Sequence, residues 1–216
     1  MKYKAIIFDL DGTLLDTLDD LTVSMNYALR TMSMPERTKD EIRGFVGNGL
    51  AKLVERALPQ GSSEEQCSRA LSLLKEHYAV HCMDKTGMYD GVREMLVKLR
   101  DKGYKLAIVS NKVDTAVQEL KVHYFDGLIG TAVGEREGIS GKPAPDMVFA
   151  AVQQLGAELS DCVYVGDSDV DIKTAENSGL PCISVSWGFK GRKFLEEYGA
   201  ETIIDRPDEL FSYICE

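Results

Sequence analysis

Residues 3–15, YKAIIFDLDGTLL, join a short apolar segment to two aspartates and a turn. The four consecutive apolar residues 5–8 are typical of a parallel strand that is covered on both faces. Asp9 follows this segment directly, at the carboxyl end where open α/β sheets bind their ligands. We therefore expect a buried strand that ends in an active site, although aspartate and glycine are also common in ordinary turns.

Asp9 and Asp11 lie two positions apart, on either side of Leu10. In an extended segment, residues with this spacing point to the same side of the chain. Two carboxylates that share one site repel each other unless a cation or a shared proton is present. The pair therefore predicts a site that gathers negative charge at the end of the strand and requires a positive partner.

Three later segments place polar residues at the end of a strand or the start of a helix. They are VSNK at 109–112, GKP at 141–143 and VGDSDVD at 165–171. Together with DLDGT at 9–13, they resemble the four motifs of the haloacid dehalogenase (HAD) superfamily of phosphotransferases. Those motifs are Asp-x-Asp-Gly-Thr, Ser or Thr, Lys, and Gly-Asp-x-x-x-Asp, in that order. The resemblance spans nearly the whole chain.

The resemblance implies covalent phosphoryl transfer at the first motif. Asp9 would attack phosphorus and form an aspartyl phosphate, which divides one difficult displacement into two easier ones. Asp11 would protonate the leaving oxygen and then take a proton from the attacking water, and dehalogenases of the superfamily lack this second aspartate. Mg²⁺, a hard cation that prefers oxygen ligands, would be bound by Asp9, the main-chain carbonyl of Asp11 and Asp167.

The other motifs would hold the phosphoryl group. Ser110, with the main-chain amides near Asn111, would bind a phosphoryl oxygen, and Lys142 would neutralise charge as it develops. Asp171 would orient Lys142 or a metal-bound water, and Thr13 is a further candidate contact to the substrate. The structural alternatives are a turn for Ser110, a solvated loop for Lys142, an exposed helix position for Asp171 and a helix cap for Asp167.

The composition indicates a globular protein with an anionic surface. The 216 residues are 44% apolar and 28% charged, with a formal charge of −10 at pH 7. This charge argues against nonspecific binding to nucleic acid or to anionic membranes. No apolar run is long enough for a membrane span, the N-terminus lacks a signal-peptide pattern, and the scattered cysteines are typical of reduced thiols. We therefore expect a cytoplasmic protein. The resemblance implies that its partner is a small phosphorylated metabolite, whereas its oligomeric state is not indicated.

Helical and strand patterns occupy different parts of the chain. Residues 16–82 show helical periodicity, with capping boxes at 38–41 and 63–66 and with Thr17 as a candidate cap. Beyond residue 91, helices alternate with predicted strands at 104–109, 128–133, 162–166, 181–185 and 202–204. Such alternation predicts an α/β fold with a doubly wound, Rossmann-like parallel sheet.

The first strand belongs with the later strands, so the helical segment is an insertion. We predict a core domain formed by residues 1–15 and 83–216 and an all-helical domain formed by residues 16–82. In the HAD superfamily an insertion at this point is a helical cap. The resemblance implies that the cap closes over the strand ends and excludes water until a substrate is bound.

Substrate choice is expected to depend on the cap. The segment GFVGNG at 44–49, with the apolar helix that follows it, resembles the cap of bacterial phosphoglycolate phosphatases. The resemblance implies that 2-phosphoglycolate is the substrate and that a cap cation binds its carboxylate. The candidate contacts are Gly47, Asn48 and Arg43, with Lys52 and Arg56 as further candidate cations.

Other functions stay open on the sequence. Pyrophosphatases, nucleotidases and β-phosphoglucomutases share the core motifs. A noncatalytic signalling module is a different alternative, because aspartyl-phosphate receiver domains also combine a strand-end aspartate with Mg²⁺, Ser or Thr, and Lys. Receiver domains lack both the large insertion and an acid/base two residues after the nucleophile, so Asp11 favours an enzyme.

Overall fold

The computed structural model describes residues 2–215, and the chain divides into two compact units. The first unit comprises Met1–Leu15 and Met88–Glu216, and the second is the continuous segment Asp16–Gly87. The second unit thus begins where the sequence placed the start of the helical segment and extends beyond the expected end at residue 82.

Hydrogen bonds to one buried carboxylate account for the longer second unit. Asp20 accepts hydrogen bonds from the main-chain amides of Lys85 and Thr86, at 3.1 and 2.9 Å, and from the Thr86 hydroxyl at 2.8 Å. Residues 85 and 86 therefore pack with the helix that carries Asp20. The contact joins residues that are far apart in sequence, so no local pattern near residue 82 predicted it.

The strands, in chain order, are β1 Ala5–Phe8, β2 Leu15–Asp16, β3 Gly87–Met88, β4 Lys105–Val113, β5 Thr131–Glu135, β6 Cys162–Gly166, β7 Cys182–Val185 and β8 Ile203–Ile204. The α-helices are α1 Leu18–Thr31, α2 Lys39–Phe45, α3 Gly49–Ala57, α4 Glu64–His81, α5 Val92–Asp101, α6 Asp114–Phe125, α7 Asp146–Leu155, α8 Asp169–Ser178, α9 Gly191–Glu197 and α10 Phe211–Ile214. Short 3₁₀ turns occur at Leu159–Asp161 and Pro207–Leu210.

Six of the strands form one parallel sheet in the first unit, in the order β5-β4-β1-β6-β7-β8. β1 lies inside the sheet between β4 and β6, with Phe8 opposite Ile108 and Val165. All four residues of β1 are fully buried, as expected of a strand that is covered on both faces. The predicted α/β class with a parallel sheet is confirmed. Because the strands are parallel, their carboxyl ends meet at one edge, and this edge holds the candidate site.

β4 extends to Val113, well past the end predicted at Val109. Its pairing with β5 shifts register between these two residues. Ser110, Asn111 and Lys112 therefore lie within an irregular strand, and the alternative of a turn for Ser110 is wrong. The end of the apolar run did not predict the end of β4, because a strand continues for as long as its main chain finds hydrogen-bond partners.

β5 begins at Thr131 and not at the predicted residue 128. The amides of Leu128 and Ile129 donate to the carbonyl of Phe125, at 2.9 and 3.0 Å, and this closes the end of α6. These apolar residues belong to the helix end, although their composition resembles a strand.

The second unit consists of α1 to α4, as the helical periodicity predicts. Both capping boxes are confirmed, at the start of α2 and of α4. Thr17 is the N-cap residue of α1, as predicted, but its buried hydroxyl makes no capping hydrogen bond and has no partner among residues 2–215. Instead Asp16 Oδ1 accepts from the amide of Leu18, at 3.1 Å, at the first turn of α1.

Two expectations from composition can be compared with the structure. All five cysteines are free thiols, and Cys162 and Cys182 lie in strands. Within the described range, 2–215, none of the helices combines the length and the apolar character that a bilayer crossing demands.

Candidate active site

Asp9 lies directly after β1, where its amide continues the sheet by donating to the carbonyl of Val165 at 2.9 Å. Its side chain is 8% exposed, and Oδ1 accepts a 2.6 Å hydrogen bond from Lys142 Nζ. The strand thus fixes the main chain of Asp9, and the lysine fixes one carboxylate oxygen. The predicted role of Asp9 as a nucleophile requires such fixing.

Lys142 joins three groups in the buried site. Its Nζ contacts Asp9 Oδ1 at 2.6 Å, Asp171 Oδ1 at 2.7 Å and the Tyr164 hydroxyl at 3.3 Å. The lysine side chain is 4% exposed, so the alternative of a solvated loop lysine is wrong. The loop is held by Asn111, whose side chain accepts from the Lys142 amide at 2.7 Å and donates to the Lys142 carbonyl at 3.0 Å.

Asp171 anchors Lys142 from the first turn of α8. Oδ2 accepts from the Ser168 amide at 3.1 Å and from its hydroxyl at 2.6 Å, and Oδ1 accepts from the Tyr164 hydroxyl at 3.0 Å. The residue is 1% exposed, so the alternative of an exposed helix position is wrong. Its geometry fits the predicted role of orienting Lys142.

Tyr164 is a site residue that the sequence did not identify. It occurs in the middle of the apolar run of β6, and its ring is fully buried. A buried tyrosine hydroxyl normally finds a hydrogen-bond partner. This rule was the only indication in the sequence that Tyr164 has a polar contact, and it does not identify the partner of the hydroxyl.

Asp167 follows β6 and is 2% exposed. The alternative of a helix cap is wrong, because Ser168 is the N-cap of α8. Asp167 Oδ2 instead accepts from the amide of Phe189 at 2.7 Å. Gly12 and Gly188 pack so closely on this carboxylate that a Cβ atom at either position would collide with it.

Burial and mutual repulsion perturb the ionisation of the site. Burial, followed by the negative charge of Asp171, raises the pKa of Asp9 from 3.8 to about 7, although Lys142 opposes this shift. Burial also raises the pKa of Asp167 well above its ordinary value, with the charges of Asp171 and Asp9 adding to the effect. Burial disfavours the charged form of Lys142, but the two aspartates outweigh it and raise the lysine pKa.

The carboxylates of Asp9, Asp167 and Asp171 are close enough to share a cation, with one oxygen of each within 4.8 Å of the others. Asp171 already uses both oxygens, so Asp9 and Asp167 retain the greater capacity for a metal ion. Lys142 alone would not balance the three carboxylates if all of them were ionised. Two or more hard oxygen donors with excess negative charge fit a divalent cation such as Mg²⁺.

Asp11 is more exposed than Asp9, Asp167 and Asp171, and it contacts β4. Its side chain is 21% exposed, and Oδ1 lies 3.2 Å from Lys112 Nζ. Ser110, which is 2% exposed, places Oγ 3.5 Å from Asp11 Oδ2. The sequence motif included Lys112 but gave it no role, so this contact is a second feature that the sequence did not reveal.

Thr13 stands in the turn after Asp11 and is 1% exposed. Its hydroxyl has no hydrogen-bond partner within residues 2–215, and its carbonyl accepts from Trp187 Nε1 at 3.0 Å. The hydroxyl is thus a buried donor near the strand end. Its predicted contact with the substrate stays a prediction.

The predicted substrate contacts of the second unit have partners within that unit. Arg43 Nη1 is 2.7 Å from Asp40, and Lys52 Nζ is 2.6 Å from Glu55. Arg56 donates to the Phe45 carbonyl at 2.7 Å and to Asn48 Oδ1 at 2.8 Å. Gly47 has a φ of 123°, a conformation that favours glycine. The binding roles of Gly47, Asn48 and the three cations stay predictions.

Comparisons with known proteins identify the family of the chain. The family model described as haloacid dehalogenase-like hydrolase matches residues 6–185. A phosphoglycolate phosphatase of Pseudomonas syringae pv. tomato is 34% identical, covering 94% of this chain and 76% of the relative. A phosphoglycolate phosphatase of Colwellia psychrerythraea is 31% identical, with 96% and 95% covered.

Solved structures give the same result. A crystal structure from Lactobacillus delbrueckii subsp. bulgaricus has a TM-score of 0.95 at 40% identity and covers 99% of both chains. A predicted phosphoglycolate phosphatase from Haemophilus somnus has a TM-score of 0.89 at 26% identity, with 99% of this chain and 98% of the other covered. Because the family model and the relatives both match most of its length, the chain belongs to the haloacid dehalogenase-like hydrolase family.

Proposed function

We propose that this chain is a Mg²⁺-dependent phosphatase that hydrolyses a small phosphomonoester, with 2-phosphoglycolate as the first substrate to test. The observation that carries the proposal is the arrangement around Asp9. One carboxylate oxygen is held by the buried Lys142, and a second aspartate, Asp11, stands two residues further along the same turn. The pair supplies a nucleophile and a separate acid/base.

In the first step, Asp9 attacks phosphorus. A bond forms between its carboxylate oxygen and phosphorus while the bond to the leaving oxygen breaks, and Asp11 donates a proton to that oxygen. Lys142 faces the developing negative charge, and the short contact to Asp171 keeps its ammonium in place. Groups fixed in this way stabilise charge without having to reorganise during the reaction.

In the second step, water hydrolyses the aspartyl phosphate. Asp11, now ionised, takes a proton from the attacking water while a bond forms between the water oxygen and phosphorus. The bond between phosphorus and the Asp9 oxygen breaks, the Asp9 carboxylate is restored, and phosphate leaves. Ser110 and Thr13 offer hydroxyl groups to the phosphoryl oxygens in both steps. This use of one group as acid and then as base follows the pattern of general acid–base catalysis.

Mg²⁺ is proposed to bind Asp9 and Asp167, with the Asp11 carbonyl as the third protein ligand. When bound, it would supply charge neutralisation for the nucleophile and the phosphate together. The excess of buried negative charge and the raised pKa values of Asp9 and Asp167 support a cation at this place. Phe189 and the two close glycines hold Asp167 in position for it.

The names of the relatives support 2-phosphoglycolate, since the Colwellia and Pseudomonas proteins are both named phosphoglycolate phosphatase and align with this chain over most of their length. A cation of the helical unit is proposed to bind the substrate carboxylate, with Arg43 as the first candidate. Free cysteines and a net charge of −10 support a role in the reducing cytoplasm with a small-molecule partner.

A phosphate-release assay tests the proposal. The purified protein would be given 2-phosphoglycolate, an uncharged-tail phosphomonoester, pyrophosphate, a nucleoside monophosphate and β-glucose 1-phosphate, each with Mg²⁺ and with a chelator. We expect Mg²⁺-dependent release that is fastest with 2-phosphoglycolate. Faster turnover of another compound would contradict 2-phosphoglycolate as the substrate but would agree with the proposed mechanism. The absence of phosphate release from every compound would contradict the phosphatase function.

Asp9→Asn is the matched variant for this assay. It removes the nucleophile while it preserves the shape of the side chain, so we expect loss of turnover in a protein with an unchanged fold. Asp161→Asn is the control, because Asp161 pairs with Lys4 at the opposite end of the sheet strands. Retention of wild-type activity by Asp9→Asn would contradict the covalent mechanism.

A further inference from the structure

Lys112 is a buried lysine that has no part in the proposed mechanism. It lies near the end of β4, and its side chain is only 7% exposed. Burying an ammonium group is costly unless a negative partner compensates it. Asp11 supplies such a partner, with its Oδ1 at 3.2 Å from Lys112 Nζ.

Lys112 and Ser110 contact different oxygens of the same carboxylate. Ser110 Oγ lies 3.5 Å from Asp11 Oδ2, and Lys112 Nζ lies near Oδ1. Residues two apart on a strand point to the same face, and the Lys112 amide also donates to Ser110 Oγ at 3.2 Å. β4 therefore contacts Asp11 at two points, and only the Lys112 contact is independent of the hydroxyl that is proposed to bind the phosphoryl oxygens.

Both contacts are longer than strong hydrogen bonds. The lysine contact is an ion pair and not an aligned hydrogen bond, since Asp11 Oδ1 accepts no hydrogen bond within residues 2–215. Catalytic hydrogen bonds are often long before a substrate binds and shorten in the reacting complex. Lys112 is therefore placed to restrain Asp11 by charge attraction.

Asp11 requires such a restraint more than Asp9 does. Asp9 continues the hydrogen bonding of the sheet and is 8% exposed, whereas Asp11 lies beyond the strand and is 21% exposed. An acid/base must lie within hydrogen-bond reach of the proton that it transfers. A small misplacement of a reacting group costs a large part of its effect.

We propose that Lys112 is a positioning residue that holds the Asp11 carboxylate toward the leaving oxygen and the attacking water. This inference rests on the proposed phosphatase function and extends it to a residue to which the motifs assign no role. Lys112 acts through Asp11, so its removal lowers the rate of the chemical steps and leaves substrate binding nearly unchanged.

Steady-state kinetics of Lys112→Met test the proposal with 2-phosphoglycolate, or with the fastest substrate of the panel. Methionine keeps much of the aliphatic stem and removes the charge. We expect kcat to fall by about 10 to 100-fold with KM within about twofold, a part of the ~10²–10⁴-fold that general acid–base catalysis contributes. Lys112→Arg, which keeps a positive charge, should retain more kcat than Lys112→Met.

Lys105→Met is the control on the same strand. Lys105 begins β4, and its Nζ donates to the carbonyls of Leu155 and Gly156, at 2.8 and 2.6 Å. We expect wild-type kinetics from this variant. If Lys112→Met does not fold, Lys112→Gln carries the same test with a shorter polar side chain.

A double mutant separates positioning from a purely structural role. In an Asp11→Asn protein, with the same substrate, adding Lys112→Met should change kcat by less than about twofold, because residues that act as one unit are not additive. An equal fold-loss of kcat in the wild-type and Asp11→Asn proteins would overturn the inference. A change of KM alone in Lys112→Met, or unchanged kinetics of this variant, would overturn it as well. An inactive wild-type protein would instead overturn the proposed function, so the two failures are distinguishable.

Discussion

Mg²⁺ binding should release protons from the site, and the amount should depend on pH. In the metal-free protein, burial and the charge of Asp171 raise the pKa of Asp9 to about 7. A metal ligand must be ionised, so a bound cation displaces any proton that Asp9 holds. Removing the metal therefore returns a proton to the protein at mildly acidic pH.

The magnitude follows from the shifted pKa. With a pKa of about 7, Asp9 is about 90% protonated at about pH 6 and about 10% protonated at about pH 8. Mg²⁺ binding should then release about 0.9 proton from Asp9 at the lower pH and about 0.1 at the higher pH. The pKa of Asp167 is also raised, so the total at the lower pH should exceed the contribution of Asp9.

The same shift predicts the pH dependence of the metal-free fold. The pKa of Asp9 rises on folding, so the folded state binds the proton more strongly than the unfolded state does. Stability is therefore lost as pH rises from 3.8 to about 7. Saturating Mg²⁺ removes this penalty, and its increase of Tm should be larger at about pH 8 than at about pH 5.

Isothermal titration calorimetry in two buffers with different ionisation enthalpies measures the released protons. Asp9→Asn is the control, because it removes the titrating carboxylate and should reduce the release at the lower pH by about 0.9. Binding of Mg²⁺ without proton release at either pH would refute the reasoning. Equal release at both pH values would refute it as well.

Three further predictions concern single substitutions. Asp11→Asn should lower kcat by about 10² to 10⁴-fold in a folded protein, and a nearly wild-type rate with a poor leaving group would count against its acid/base role. Gly188→Ala would place Cβ 2.5 Å from Asp167 Oδ2, so we expect Mg²⁺ affinity to fall by about 10 to 100-fold in calorimetry, while Gly130→Ala, which meets open space, keeps wild-type affinity. Arg43→Ala should lower kcat/KM for 2-phosphoglycolate by about 10 to 100-fold and barely affect an uncharged monoester, since a charged hydrogen bond contributes about 1.5–3 kcal/mol; equal losses on both substrates would exclude carboxylate recognition.

Much of the sheet was predictable because its strands have strong local patterns. The apolar run of β1 and the aspartates after it follow from the rule that parallel strands are buried and end at the site. Asp9, Lys142 and Asp171, although far apart in sequence, were all identified by motif, and the structure brings them within hydrogen-bonding distance. Local pattern and motif order were sufficient for these residues.

Other parts of the site depend on contacts that no local pattern contains. Tyr164 lies in an apolar strand segment that gave no sign of a role in the site. Lys112 is the last residue of the motif segment 109–112, and the motif assigns no role to it. Gly188 lies in a loop beyond β7, yet it packs against Asp167. The end of β4 was missed for a related reason, since an irregular register with β5 extends it beyond the apolar run. These features arise from tertiary packing, which overrides local propensity.

The covalent role of Asp9 is the central claim, and trapping the intermediate tests it most directly. The enzyme would be mixed with excess substrate and Mg²⁺, quenched in acid within one turnover, digested and analysed by mass spectrometry, with Asp9→Asn treated in parallel. We expect the mass of one phosphoryl group on the peptide that contains Asp9, located at this residue by reductive trapping, and no such mass in the variant. Rapid turnover without any phosphorylated Asp9 peptide, together with activity in Asp9→Asn, would contradict the account.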